Sequence, residues 1–271
     1  MILAIILFLL YGASAWAMLR SVKTPRLEPI AWLLILITII GHSEAIELMM
    51  RLNMRLNGRF SIGLFEALSL LGWTLAVLAC LVSIDKQNRV LGAILMISAA
   101  VGAAAGAAVT GGGRNYAEAT PVGWELTAHI LLSMGAAALL FAAAVTAILL
   151  VFLDRRLRMR RLSNLPSALP PLDALEKIMF RLIAAGFGLL TLALITGFVF
   201  VTNLFTQNLV QKTVLSLIAW LLFGVLLIGR LRFGWRGRSA VRWTLSGFGI
   251  LAVAYFGVKF VLEYLFGRHW G

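Results

Sequence analysis

The stretch GWELTAHILLSMGAAALLFAAAVTAILLVFL, Gly123 to Leu153, runs for 31 residues with only two ionisable side chains, Glu125 and His129, before it breaks into Asp154-Arg155-Arg156. A helix needs about 20 apolar residues to cross the hydrocarbon core of a bilayer. A water-facing helix would carry a polar stripe at the 3.6-residue period. Here that period is weak, because lipid-facing and protein-facing sides are both apolar, so length decides the reading.

Seven further runs share the pattern: 2-19, 28-50, 64-84, 90-110, 177-202, 212-229 and 243-266. With 61% hydrophobic and 13% charged residues and a mean hydropathy of +0.96, the chain has more apolar surface than a soluble domain could cover. The expectation is an all-α integral membrane protein, one bundle of eight transmembrane helices over residues 1-271. The longest connection, 154-176, holds a basic run and then Pro166, Pro170 and Pro171, and is expected to divide a five-helix part from a three-helix part. No internal repeat is evident, which weighs against an inverted-repeat transporter. Ala15-Trp16-Ala17 has the look of a cleavage site, but the positive charge follows the first apolar run, so that run reads as a retained helix.

Orientation follows from the bases. One set of connections holds Arg20, Lys23, Arg26, Lys86, Arg89, the runs Arg155–Arg161 and Lys177–Arg181, and Arg230, Arg232, Arg236, Arg238 and Arg242. These are 17 bases against five acids, a charge of +12; the other side has seven bases and six acids. The positive-inside rule makes the first set cytoplasmic and puts both termini on the outer side. The net +13 is then a matter of topology and anionic lipid, and nucleic acid is not expected as a partner. Cys80 is the only cysteine, which excludes a disulfide, a thiol relay and a Cys-x-x-Cys-His haem attachment.

Polar groups gather near one end of the apolar runs: His42, Glu44, Glu47, Glu66, Glu125, His129, Gln211, Lys212, Lys259 and Glu263. An ionisable group at membrane depth costs roughly 2.5 to 3.5 kcal/mol on insertion scales and faces a partner or a cavity. His42 and His129 both stand roughly 9 to 12 Å below the outer surface at 1.5 Å per residue. Two imidazoles at matched depth suit axial ligation of a haem iron or another metal; for each alone, a hydrogen-bonded packing role is the alternative. Glu125 precedes His129 by four residues and shares its helix face, and Trp124 is placed to wall a ligand pocket. Lys259 and Glu263 read as an internal ion pair, and His269 as a solvated tail residue.

The second half carries a series of motifs: Leu169-Pro170-Pro171-Leu172-Asp173-Ala174-Leu175-Glu176, Gly186-Phe187, Leu190-Thr191, Gln211-Lys212-Thr213-Val214-Leu215-Ser216, Ala219-Trp220, Gly229-Arg230, Gly234-Trp235-Arg236-Gly237-Arg238 and Ala254-Tyr255-Phe256-Gly257. Together they resemble the cytochrome c assembly family, most closely its shorter eight-helix branch, YpjD-like or HemX-like. The resemblance is clear from Trp124 onward and looser over the first four helices. It implies a haem-handling protein of the bacterial inner membrane, with b-type, non-covalent haem held near the outer face by His42 and His129. It also implies a site that includes Trp124, Glu125, Gln211 and Lys212, and other cytochrome c biogenesis proteins as partners. Relatives begin helix seven with His-Lys-Thr where this chain has Gln211-Lys212-Thr213, and the external tryptophan-rich segment of full-size members is absent. Holding or passing haem, with no catalytic reaction, is therefore the expected function. The alternatives are a transporter or channel for a small hydrophobic or anionic substrate, using Glu44, Glu66, Glu125 and Lys259, and a scaffold for assembly partners.

Overall fold

The computed structural model describes residues 2–57, 64–108, 124–158, 171–200 and 207–257. Among them all regular structure is helical: α1 (Ile2–Lys23), α2 (Glu28–Asn57), α3 (Leu64–Val82), α4 (Arg89–Ala108), α5 (Trp124–Arg158), α6 (Leu172–Phe200), α7 (Gln207–Phe233) and α8 (Gly237–Ala252), the last continuing as a π-helix over Val253–Gly257. All eight expected runs carry a helix. Six of the described helices are long and apolar enough to cross a membrane; α3 and the described part of α8 are shorter. Lys259, Glu263 and His269 lie outside the described residues.

The helices cluster as two compact units, one built from α1–α4 and the other from α5–α8. In each unit every helix packs on its neighbours in sequence, and the first also packs on the fourth, which closes the ring. The helices on either side of the 154-176 connection, α5 and α6, fall in the same unit. Despite the long proline-rich connection, α5 makes its most extensive contact with α6, and seven of the thirteen buried residues of α5 are alanine. Ala136, Ala137, Ala143 and Ala147 are buried there, while Leu131, Ile148 and Phe152 point outward. Small residues inside and branched ones outside is the arrangement of membrane helices, whose backbones must approach closely to gain dispersion energy that lipid would otherwise supply. The long connection is also shorter than expected, since α5 runs on through Arg158 and α6 begins at Leu172.

In the first unit, close approach is clearest between α3 and α4. A Cβ at Gly102 would lie 2.6 Å from Leu68 O and 3.1 Å from Gly72 Cα, so the helices meet glycine to glycine. The same unit is closed at one end by Glu28, which takes Arg89 at 2.5 Å and Lys86 at 3.0 Å. Arg89 also donates to Ser21 on α1 at 3.1 Å, so its buried charge is both paired and hydrogen-bonded.

Candidate functional site

His42 is fully buried on α2. The Tyr11 hydroxyl of α1 lies 2.7 Å from its Nδ1, and Ser69 Oγ of α3 lies 3.0 Å from its Nε2. The phenol is the stronger donor of the two hydroxyls, so the consistent arrangement has Tyr11 donating to Nδ1 and an Nε2–H donating to Ser69. Both ring nitrogens are engaged. One turn along, Ser14 and Thr38 repeat the contact between α1 and α2 at 2.8 Å. Ser69 also borders a cavity of about 20 Å³ with Glu66. Glu44 and Glu47 are exposed, and Glu47 pairs with Arg51 on its own helix.

His129 stands differently. Its Nδ1 lies 3.1 Å from Thr196 Oγ1 on α6. That hydroxyl has one proton, and it points to the carbonyls of Leu192 and Ala193 at 2.9 and 3.0 Å. Thr196 must therefore accept from Nδ1–H, which leaves Nε2 as the nitrogen with the lone pair. The ring rests on Gly197, where a Cβ would come within 3.1 Å of His129 Cε1. A side chain there would push the ring by a few tenths of an ångström.

His129 opens onto a cavity of about 230 Å³ within the second unit. Its apolar wall is mostly α6: Leu190, Ala193, Leu194, Gly197 and Phe198, joined by Ala254. Its polar lining is Ser133 below His129 on α5, Lys212, Thr213 and Ser216 on α7, and Tyr255 from the π-helical turn. His129 and Lys212 each stand five residues into their helix. The structure thus joins an imidazole lone pair, an ammonium and an apolar wall, a combination suited to an apolar molecule with an anionic edge and a group that accepts a nitrogen donor.

Of the site residues expected from the sequence, His129 and Lys212 come together here. Trp124 is exposed and makes an edge contact with Phe200, Glu125 is half-buried away from the cavity lining, and Gln211 is exposed on α7. His42 belongs to the first unit. Sequence reasoning overlooked Ser133, Thr196, Gly197 and Tyr255. Of these only Tyr255 had a visible signal, its place in Ala254-Tyr255-Phe256-Gly257.

The remaining motifs hold the cavity's frame. Trp220 donates to Thr191 Oγ1 at 2.9 Å and stacks on Phe187, and a Cβ at Gly186 would lie 2.8 Å from Leu140. At the end of the unit away from His129, Glu176 accepts from Arg230 at 2.8 Å and from the Gly237 backbone N–H at 3.2 Å, with Arg236 Nε at 3.4 Å.

The chain matches the family model described as Cytochrome C assembly protein over residues 61–266, a range that includes His129 and leaves His42 outside. It is 39% identical over 148 residues to the inner membrane protein YpjD of Escherichia coli K12, covering 55% of each chain. Identity is 36% over 142 residues to an uncharacterized 28.8 kDa protein of Azospirillum brasilense, covering 51% of this chain and 52% of the relative. It is 33% over 107 residues to the cytochrome c biogenesis protein CcsA of Synechococcus elongatus, covering 39% of this chain and 33% of the relative. The match thus spans about half the length of the first two relatives and a third of the cyanobacterial one. No solved structure matches. With three-quarters of its length on the family model and a helical membrane architecture beneath it, the chain belongs to the cytochrome c assembly protein family.

Proposed function

We propose that this protein holds haem in the bacterial inner membrane in the service of cytochrome c assembly, and that it carries out no reaction of its own. The observation that carries the reading is the second-unit cavity, an apolar space lined by both His129, whose Nδ1 is engaged by Thr196, and Lys212. A lone imidazole is a poor site for a bare ion, and among the described residues no three His, Cys, Asp or Glu side chains converge. A porphyrin brings four nitrogen donors and asks the protein for only one or two axial groups. Lys212 suits the propionates, since an anion at the edge of an apolar slot wants a cationic partner. The fit is to part of the macrocycle. About 230 Å³ is below the roughly 300–1,000 Å³ of pockets that enclose a small molecule, so the cavity grips a face and an edge rather than the whole ring.

Bound haem would supply an iron that takes a nitrogen donor, and His129 would hold it. The chain's own residues orient and exclude: Thr196 fixes the His129 tautomer, Gly197 gives the ring its seat, and Leu190, Leu194 and Phe198 keep water away. His42 is the second imidazole offered by the sequence. As a ligand it must release Ser69 from Nε2 and give up the proton shared there. The site lies near the outer face if the distribution of bases sets the orientation.

The test is an optical spectrum of the purified full chain, oxidised and reduced, beside His129→Ala at equal protein. A haem band that the substitution removes is the expected result. A colourless wild type that takes up no added haemin overturns the reading; proton-coupled uptake by that protein would indicate a transporter, and co-purification of assembly proteins without pigment a scaffold.

A further inference from the structure

The corner between α7 and α8 holds more positive charge than its one carboxylate can answer. The stretch Val210–Phe233 of α7 is about 36 Å of apolar helix, more than the roughly 30 Å of a hydrocarbon core, so its last turn and the start of α8 stand at a bilayer surface. Arg230, Arg232, Arg236, Arg238 and Arg242 fall there within thirteen residues. Glu176 takes Arg230 and Arg236. Arg232, Arg238 and Arg242 are exposed, and among the described residues none of them has an ion pair or a hydrogen bond.

Arg238 and Arg242 stand four residues apart on the first two turns of α8, so they share a helix face, about 6 Å apart along the axis. Like charges at this spacing repel, and the positive end of the helix dipole adds to the repulsion. No acidic residue in the first turn offsets it. The surroundings fit one kind of anion. Leu231 and Phe233, on either side of Arg232, are 84% and 75% exposed; at a bilayer surface such side chains reach the acyl region while guanidiniums stay at the level of the phosphates. The joint beneath is fixed, since Trp235 returns its N–H to Gly229 O and packs on Trp243 with ring centroids 5.5 Å apart.

We propose that Arg238 and Arg242 bind the phosphodiester of an anionic phospholipid, with Leu231 and Phe233 seated among its acyl chains. A guanidinium suits this group because its planar fork meets two phosphate oxygens at once. The lipid's charge removes the repulsion within the pair. The site lies at the end of the second unit away from His129, so it stands or falls separately from what the cavity holds.

The experiment is native mass spectrometry of the purified full chain with added phosphatidylglycerol or phosphatidylcholine, beside thermal melting in a neutral detergent. The wild type should bind one phosphatidylglycerol at least ten-fold tighter than phosphatidylcholine and melt higher in its presence. The double variant Arg238→Gln/Arg242→Gln should lose that preference and the thermal shift, yet melt at or above wild type without lipid, which separates a lost site from misfolding. Arg238→Lys/Arg242→Lys keeps the charge without the fork and should bind at least three-fold more weakly than wild type, a second reading should the glutamine variant fold poorly. Lys23→Gln/Arg26→Gln, which removes two exposed bases of the first unit, should stay within about two-fold of wild type. A wild type that binds both lipids alike overturns the proposal, as does a Lys23/Arg26 variant as impaired as the Arg238/Arg242 one, since either result means diffuse charge. A lysine variant equal to wild type, or glycerol phosphate that reproduces the full thermal shift at the lipid's concentration, overturns it too.

Discussion

His42 and His129 show how much a side chain's value depends on what its two nitrogens already do. His42 is enclosed by Tyr11 and Ser69, which engage both of its nitrogens, while His129 gives one nitrogen to Thr196 and lines a cavity. Three expectations follow. Replacing His129 by Ala should remove haem from the protein, whereas Gln211→Ala should leave haem content unchanged and Gln211→His should be tolerated, because Gln211 is exposed beside the cavity-lining Lys212; pyridine haemochrome assay at equal membrane protein compares them. Thr196→Val removes the acceptor that fixes the His129 tautomer, and loss of such a partner typically costs about 10- to 100-fold in metal affinity, measurable by haemin titration. Gly197→Ala should displace the ring by a few tenths of an ångström and reduce haem retention. Its helix gains about 1 kcal/mol in propensity, so a melting temperature at or above wild type would separate this binding loss from misfolding.

Between elements, the corner where α6, α7 and α8 meet turns on one carboxylate. Glu176 and Arg230 are only 13% and 21% exposed, and the Arg230 guanidinium also lies over the Phe180 ring at 4.6 Å. The chain turns sharply here because Gly234 and Gly237 take positive φ, 65° and 56°, which side-chain-bearing residues seldom adopt. Trp235 folds back to donate its N–H to Gly229 O, and its ring packs where a Gly229 Cβ would come within 2.5 Å. Gly-Trp-Arg-Gly-Arg is therefore a structural joint. Glu176→Ala, which strands the partly buried Arg230, should cost on the order of 3 kcal/mol, and removing both partners should cost less than that single change. Thermal unfolding in detergent, read as a double-mutant cycle, measures the difference; a single variant as stable as wild type would show that the corner is held by the glycine turns alone.

Across the whole chain, the placement of bases makes a topological prediction. Reporter fusions after Arg26, Arg89, Arg161 and Arg238 should read as cytoplasmic, and those after Arg59, Arg114 and Asn208 as external, because 17 Lys and Arg on one side against seven on the other set orientation. Reversed labelling would place the His129 cavity on the cytoplasmic half. The repeated closure of four helices in each unit went unseen in the sequence. A shared order of packing needs no shared residues when most positions are Ala, Leu, Ile and Val, so the regularity shows in contacts alone.

Hydropathy and length by themselves determined that the chain is helical and suited to a membrane, and where each of the eight helices lies, because about 20 apolar residues in a row leave the backbone no other way to satisfy its hydrogen bonds in lipid. They also singled out His42, His129 and Lys212, since ionisable groups stand out against an apolar background. Only the tertiary structure decided which of them share a space. Whether an imidazole keeps a lone pair depends on hydroxyls 27 to 67 residues away in sequence, on α1, α3 and α6. Whether a cavity remains beside it depends on Gly197 and on Tyr255, whose positions are set by helix packing and by a π turn that leaves no trace in residue spacing.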